Sequence, residues 1–302
     1  MAGRTADSVR SVATEIRTCY RHGDRRAGVV CQRCDRPICP DCMHTASVGF
    51  HCPECTKAGA QKVLTPRSLV TRPLLTQVVI GVNVGVFLLG LLLSGGGGLG
   101  GGANDLIVEG ALIARGCTEA TLAGCVPGAE IGVAEGEWWR VVTSGFLHYG
   151  WIHLAFNMYA LWILGQFIEG SAVLGRFAAI YLTALVAGSF GAMRISADAL
   201  TAGASGAIYG LMGAALAAQR ARGVRAMDSG LLMILGINLL LTFSISNISV
   251  GGHLGGLAGG LAAGYLVFGL PTKLSRTPLP LVACGALAAA AFLGTVAAAY
   301  AA

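Results

Sequence analysis

Seven apolar stretches recur along this chain of 302 residues, each close to the ~20 residues that an α-helix needs to cross roughly 30 Å of hydrocarbon. They cover about 73–94, 150–168, 174–193, 202–219, 229–246, 250–269 and 279–300. A backbone that leaves water must satisfy its own N–H and C=O groups, so each stretch is expected to be helical. The expected fold class is therefore an all-α polytopic membrane protein. Composition agrees, because 54% hydrophobic and only 12% charged residues exclude an ordinary soluble domain. A Gly-rich run, Gly95 to Gly102, ends the first span, and a long polar stretch from Asn104 to Leu147 precedes the second.

Charge sets the expected orientation. Residues 1–72 hold twelve Lys/Arg against six Asp/Glu, whereas the remainder holds nine of each, so the net charge of +6 belongs to the N-terminal segment. That segment has no apolar core of the kind a secretory signal needs, so the N-terminus is expected in the cytoplasm. Short cytoplasmic loops carry the excess of positive charge. Arg176, Arg220, Arg222, Arg225, Lys273 and Arg276 then all fall inside, and Arg194, close to Asp198, is the short-loop exception. The loop holding Asp105, Glu109, Glu119, Glu130, Glu135 and Glu137 against only Arg115 and Arg140 falls outside. Spans two, four and six run from outside to inside.

Polar residues interrupt those three spans, each expected about one turn in from the outer end. They are His153 and Asn157 in span two, Ser205 within Gly203-Ala204-Ser205-Gly206 in span four, and His253 within Gly251-Gly252-His253-Leu254-Gly255-Gly256 in span six. Ionisable groups are costly inside a bilayer and by default mark function. A lone serine in such a helix usually bonds back to its own backbone, and a lone histidine often tethers helices. Four such residues at one depth point instead to hydrolysis. Ser205 suits a nucleophile and His253 its general base. No Asp or Glu lies near His253 in sequence, so a dyad is expected rather than a triad. His153, the Asn157 amide and the backbone N–H of Ser205 are candidate donors to the oxyanion. Span six carries two rows of small residues, Gly252, Gly256, Gly260, Gly264 and Gly251, Gly255, Gly259, Ala263, and span four offers Gly206, Gly210 and Gly213. Such rows allow close helix approach, here of spans four and six.

Together, Gly203-Ala204-Ser205-Gly206, His253 and His153-Leu154-Ala155-Phe156-Asn157 resemble the rhomboid family of intramembrane serine proteases. Glu137-Trp138-Trp139-Arg140 is similar to the Trp-Arg element of that family's first loop. The resemblance covers about residues 73–269 and implies a six-helix core, a catalytic dyad of Ser205 and His253, and an oxyanion hole helped by His153 and Asn157. Tyr209 matches a family tyrosine that packs on the catalytic histidine, its other reading being a plain core aromatic. The substrates implied are single-span membrane proteins, cut near or within a transmembrane segment that unwinds locally. Trp138 and Trp139 suit the membrane interface, or simply anchor span two. The competing function is a non-catalytic rhomboid-like protein that binds and escorts membrane clients. Such relatives lose the serine or the histidine, and this chain keeps both. A transporter is disfavoured, since no intramembrane acidic pair or inverted repeat is visible.

The N-terminal segment has its own chemistry. Seven of ten cysteines lie between Cys19 and Cys55, in the pairs Cys19-x-x-His22, Cys31-x-x-Cys34, Cys39-x-x-Cys42 and Cys52-x-x-Cys55. In a reducing cytoplasm such spacing chelates tetrahedral Zn²⁺, and eight ligands make two structural zinc sites. The segment resembles a B-box type zinc finger, whose cross-brace assigns Cys19, His22, Cys39 and Cys42 to one ion and Cys31, Cys34, Cys52 and Cys55 to the other. Sequential pairing is the alternative, and His44 or His51 could replace a ligand. The module's basic surface fits anionic lipid headgroups or a protein partner. Nucleic acid ranks third, for want of a recognition helix.

The expected organisation is a double zinc-binding domain at 1–60, a linker at 61–72, a six-helix core at 73–269, and a loop with a seventh helix at 270–302. That last helix is largely alanine and carries no chemistry. Cys117 and Cys125, in an oxidising outer loop, are placed to form a disulfide, with two free thiols as the other outcome.

Overall fold

A computed structural model of the chain describes residues 17–59, 73–94, 104–121, 124–171, 174–246 and 248–302. Two compact units make up the chain, residues 1–69 and 70–302. The proposed linker, 61–72, and the Gly-rich run, 95–102, lie outside the described residues.

The first unit is built on two short antiparallel pairs, β1 (Val29–Val30) with β2 (Pro37–Ile38) and β3 (His44–Thr45) with β4 (Phe50–His51), followed by α1 (Pro53–Gly59). Its buried centre consists of Cys19, Cys31, Cys39, Cys42 and Cys52 with Ile38. Ile38, with Tyr20, Val29, Met43 and Phe50 only partly buried around it, is too small a core to offset the conformational entropy of the unit, so the cysteines carry much of its order.

The second unit is a helical bundle. Its long helices are α2 (Leu74–Leu93), α5 (Trp151–Glu169), α6 (Leu174–Ile195), α7 (Ser205–Ala221), α8 (Leu231–Ser244), α9 (Val250–Gly264) and α11 (Leu279–Ala301), with α3 (Asp105–Gly110), α4 (Arg140–Thr143) and α10 (Thr272–Ser275) between them. A π-helical turn, Tyr265–Gly269, extends α9. Each expected span is a helix, and five of them are long and apolar enough to cross a membrane. This is a polytopic membrane protein.

The two exceptions are instructive. Span four begins at Ser205 rather than 202, because Thr201 exchanges backbone hydrogen bonds with Leu112, both 2.8 Å, and the N–H of Gly203 donates to the Ser144 carbonyl at 2.9 Å. With Gly203 at φ +135°, the helix can begin only beyond it, so Ser205 is its first residue and not one turn in. Span five begins at Leu231 rather than 229, after the left-handed Gly230 at φ +70°. At about 1.5 Å per residue, α7 with 17 residues reaches about 25 Å and α8 with 14 about 21 Å.

The stretch 104–147 is folded rather than an open loop. β5 (Gly116–Cys117) pairs with β8 (Glu130–Ile131), and β6 (Ala120–Thr121) with β7 (Gly124–Cys125). A Cys117–Cys125 disulfide ties this ribbon. Its anchor is the fully buried Arg140, which donates to Glu137 at 2.6 Å and to the carbonyls of Val108 and Ala111 at 2.7 and 2.8 Å. Trp138 and Trp139 remain about half exposed (49% and 54%), as a membrane-interface position requires.

Candidate active site and candidate metal centres

Glycine brings the site together. A Cβ on Gly256 would sit 2.0 Å from the Gly206 carbonyl oxygen, and one on Gly260 2.0 Å from that of Gly210. The backbones of α9 and α7 therefore touch where the serine and histidine lie. The second small row faces α6 instead, since a Cβ on Gly251 would sit 2.1 Å from the Gly191 oxygen and one on Gly255 2.4 Å from that of Ala187. α9 is thus wedged between α6 and α7, a second contact that its rows of small residues did not by themselves reveal.

Ser249 caps α9 by accepting the Gly252 N–H at 3.1 Å, which sets His253 one turn into the helix. From there its Nε2 lies 2.9 Å from Ser205 Oγ. His253 is buried, whereas Ser205 is partly open. Tyr209, one turn after the serine, stacks on the imidazole with ring centres 4.0 Å apart and planes 16° from parallel. On the far side of the ring, Nδ1 lies 2.8 Å from the hydroxyl of Thr242 on α8. Thr242 was not legible in the sequence, where a threonine in an apolar helix reads as bonding to its own backbone.

His153 and Asn157 occupy α5 beside this pair. A Cβ on Gly203 would lie 2.8 Å from both Cε1 and Nε2 of His153 and 3.6 Å from Ser205 Oγ, so the imidazole fills the space that Gly203 leaves. Asn157 donates through Nδ2 to the His153 carbonyl at 2.8 Å, which leaves its second amide hydrogen free. Among the described residues neither forms a hydrogen bond with Ser205. His148 was also missed. It is buried, its ring centre is 4.9 Å from that of His153, and among the described residues neither of its nitrogens has a hydrogen-bond partner.

Residues 135–270, which carry this whole cluster, match the family profile described as the Rhomboid domain. The putative rhomboid protease YdcA of Bacillus subtilis (strain 168) is 34% identical over 145 residues, 47% of this chain and 73% of YdcA. This chain belongs to the rhomboid family. The rhomboid protease GluP of the same organism is 42% identical over 142 residues, but these amount to 46% of this chain and only 28% of GluP. The rhomboid protease GlpG of Serratia proteamaculans (strain 568) is 33% identical over 109 residues, 35% of this chain and 36% of that protein. The N-terminal unit lies outside the stretch that matches the Rhomboid domain.

In that unit the first and third ligand pairs converge, as do the second and fourth. Cys19, His22, Cys39 and Cys42 form one cluster and Cys31, Cys34, Cys52 and Cys55 the other, each with its ligand atoms within 4.8 Å of one another. His44 and His51 face each other across β3 and β4 and belong to neither. A tetrahedron with metal–sulfur bonds of about 2.3 Å has edges near ~3.8 Å, slightly shorter from nitrogen to sulfur. The measured edges fit: Cys34 to Cys52 is 3.8 Å, and His22 Nδ1 lies 3.4, 3.5 and 3.9 Å from Cys39, Cys42 and Cys19. The electrostatics agree. Burial raises the Cys19 thiol, but N–H groups of Cys39, Arg21 and His22 aimed at its sulfur bring it down to about 6. Burial and the neighbouring Cys19 and Cys39 push Cys42 up to about 11. Sulfurs that cannot all ionise together in isolation could do so around a cation. Both clusters can hold metal ions.

Proposed function

We propose that this rhomboid is an intramembrane serine endopeptidase that cuts single-span membrane proteins. The reading rests on one observation, the 2.9 Å contact between Ser205 Oγ and His253 Nε2. As Oγ attacks the scissile carbonyl carbon, its proton passes to Nε2. The negative charge gathering on the carbonyl oxygen meets the backbone N–H of Ser205, which as a first-turn amide has no partner within its helix, together with His153 and the spare amide hydrogen of Asn157. The imidazolium then gives its proton to the leaving amine as the C–N bond breaks, and water hydrolyses the acyl-serine ester by the same route. Tyr209 holds the imidazole plane throughout.

Positive charge in the short loops supports a cytoplasmic N-terminus and a site that opens toward the outer leaflet of the cell membrane. The Cys117–Cys125 disulfide agrees, since such bonds persist on the oxidising side. Zn²⁺ suits both N-terminal donor sets, Cys₃His and Cys₄. With four protein ligands each, the two ions are structural and the unit is of the B-box type. Its partner is a protein or the anionic membrane surface.

The test is cleavage of a fluorescent single-span substrate in liposomes by the parent and by Ser205→Ala. The parent is expected to cut and to label with a fluorophosphonate, and the variant to do neither while melting at the same temperature. Cleavage by the variant at the parental rate would overturn the assignment, and an inert parent that still binds the substrate would favour the escort role.

A further inference from the structure

The geometry points to Thr242 as a third, positioning member of the Ser205–His253 pair, one that fixes which imidazole nitrogen carries the proton. This inference rests on the proteolytic reading above. It starts from a count of hydrogens. The Thr242 hydroxyl has three neighbours at bonding distance: the Asn238 carbonyl oxygen at 2.8 Å, Tyr209 Oη at 2.7 Å and His253 Nδ1 at 2.8 Å. A hydroxyl has one hydrogen to donate and two lone pairs. The Asn238 carbonyl can only accept, so the single assignment that makes all three contacts hydrogen bonds has Thr242 donating to Asn238. Tyr209 O–H and His253 Nδ1–H then donate to Thr242.

The consequence lies on the other side of the ring. A neutral imidazole with its proton on Nδ1 presents an unprotonated Nε2, the form that accepts the Ser205 proton. Thr242 is 2% exposed, so water is not at hand to take over as acceptor. Losing the hydroxyl removes the acceptor of Nδ1–H and of Tyr209 O–H, so the productive tautomer loses its advantage over the reverse one, with Nε2–H facing Ser205, and the imidazolium formed as Ser205 attacks loses a hydrogen bond. Neither Asp nor Glu performs this task; a neutral hydroxyl on a third helix does. The acceptor comes from α8, so the protonation pattern of the base depends on a helix that contributes neither the nucleophile nor the base.

Three proteins in liposomes test this: the parent, Thr242→Val, which keeps the shape and removes the hydroxyl, and Thr242→Ser, which keeps the hydroxyl. Cleavage kinetics, the rate of fluorophosphonate labelling and the melting temperature are measured on each, with ¹⁵N spectra of labelled histidine on the parent. Thr242→Val is expected to lower kcat and the labelling rate about tenfold or more, with KM within about twofold and the fold intact. Thr242→Ser is expected to recover most of that rate, and the parental His253 to carry its proton on Nδ1. Parental rates in Thr242→Val, or a parental His253 protonated on Nε2, would overturn the inference while leaving the proteolytic reading in place. A parent that neither cleaves nor labels would overturn both.

Discussion

Glu169, the last residue of α5, holds Thr76 in the first turn of α2, accepting its backbone N–H at 2.9 Å and its hydroxyl at 2.8 Å. The same carboxylate accepts the Leu75 N–H at 2.9 Å, so it satisfies two amides that a helix start leaves without partners. Next to it, a Cβ on Gly165 would sit 2.5 Å from the Thr76 side chain, so α2 and α5 meet closely there. Glu169→Ala is expected to destabilise the bundle by about 2–3 kcal/mol, the range for hydrogen bonds to a buried charge. Steric-trap or urea unfolding in micelles measures it, and a Glu169→Ala/Thr76→Val cycle should be non-additive.

At the α7–α9 seam the expected effect is on chemistry as well as on stability. A methyl added at Gly256 must displace the Gly206 carbonyl, with which it would otherwise overlap at 2.0 Å. Gly256→Ala is expected to cost about 1–3 kcal/mol and to lower cleavage strongly, because the helices that carry Ser205 and His253 are pushed apart. Gly236→Ala, on α8 where an added Cβ meets nothing, is the control and should leave both measurements near parental values.

Arg140 makes the fold of the 104–147 segment sensitive to one charge. Arg140→Ala removes the guanidinium donors to the Val108 and Ala111 carbonyls and the charged partner of Glu137, which keeps the Gly132 N–H at 2.6 Å. Arg140 is buried and the Glu137 side chain is 22% exposed, so the loss stays below the ~3–5 kcal/mol of a fully buried pair broken from one side. Limited proteolysis of residues 104–147 should accelerate in the variant. Arg140→Lys should rescue it only in part, since one ammonium cannot reproduce the spread of the guanidinium.

Metal analysis is expected to find close to two zinc ions per chain, and chelation to unfold the N-terminal unit. Release should speed up as pH falls, because protons compete with the cation for the thiolates. One ion per chain, or an N-terminal unit whose circular dichroism survives chelation, contradicts the two-site reading.

Much of this was readable from the chain because a bilayer imposes a simple rule on length and polarity. Seven spans could be found by that rule, and every one of them is a helix. What the rule cannot see is backbone pairing from elsewhere. Thr201 and Gly203 are bonded to Leu112 and Ser144, and the start of α7 moves with them. The stretch 104–147 read as a long polar loop: the Glu137-Trp138-Trp139-Arg140 element was recognisable by resemblance, but the hydrogen bonds of Arg140 to the Val108 and Ala111 carbonyls, 32 and 29 residues back, were not. Ser205 and His253 stood out as costly residues in apolar helices. Thr242 did not, because a threonine costs little there and its significance depends on partners 33 and 11 residues away.

The shortness of α8 carries a consequence for the lipids around it. Against roughly 30 Å of hydrocarbon, its reach of about 21 Å leaves ~9 Å unmatched, a mismatch that thinning of the annulus beside it would relieve. A client helix that drifts into this shallow rim meets headgroups and water earlier than it does in the bulk membrane. On the proteolytic reading, its terminal turns would begin to fray there, before any side chain of this protein has touched it.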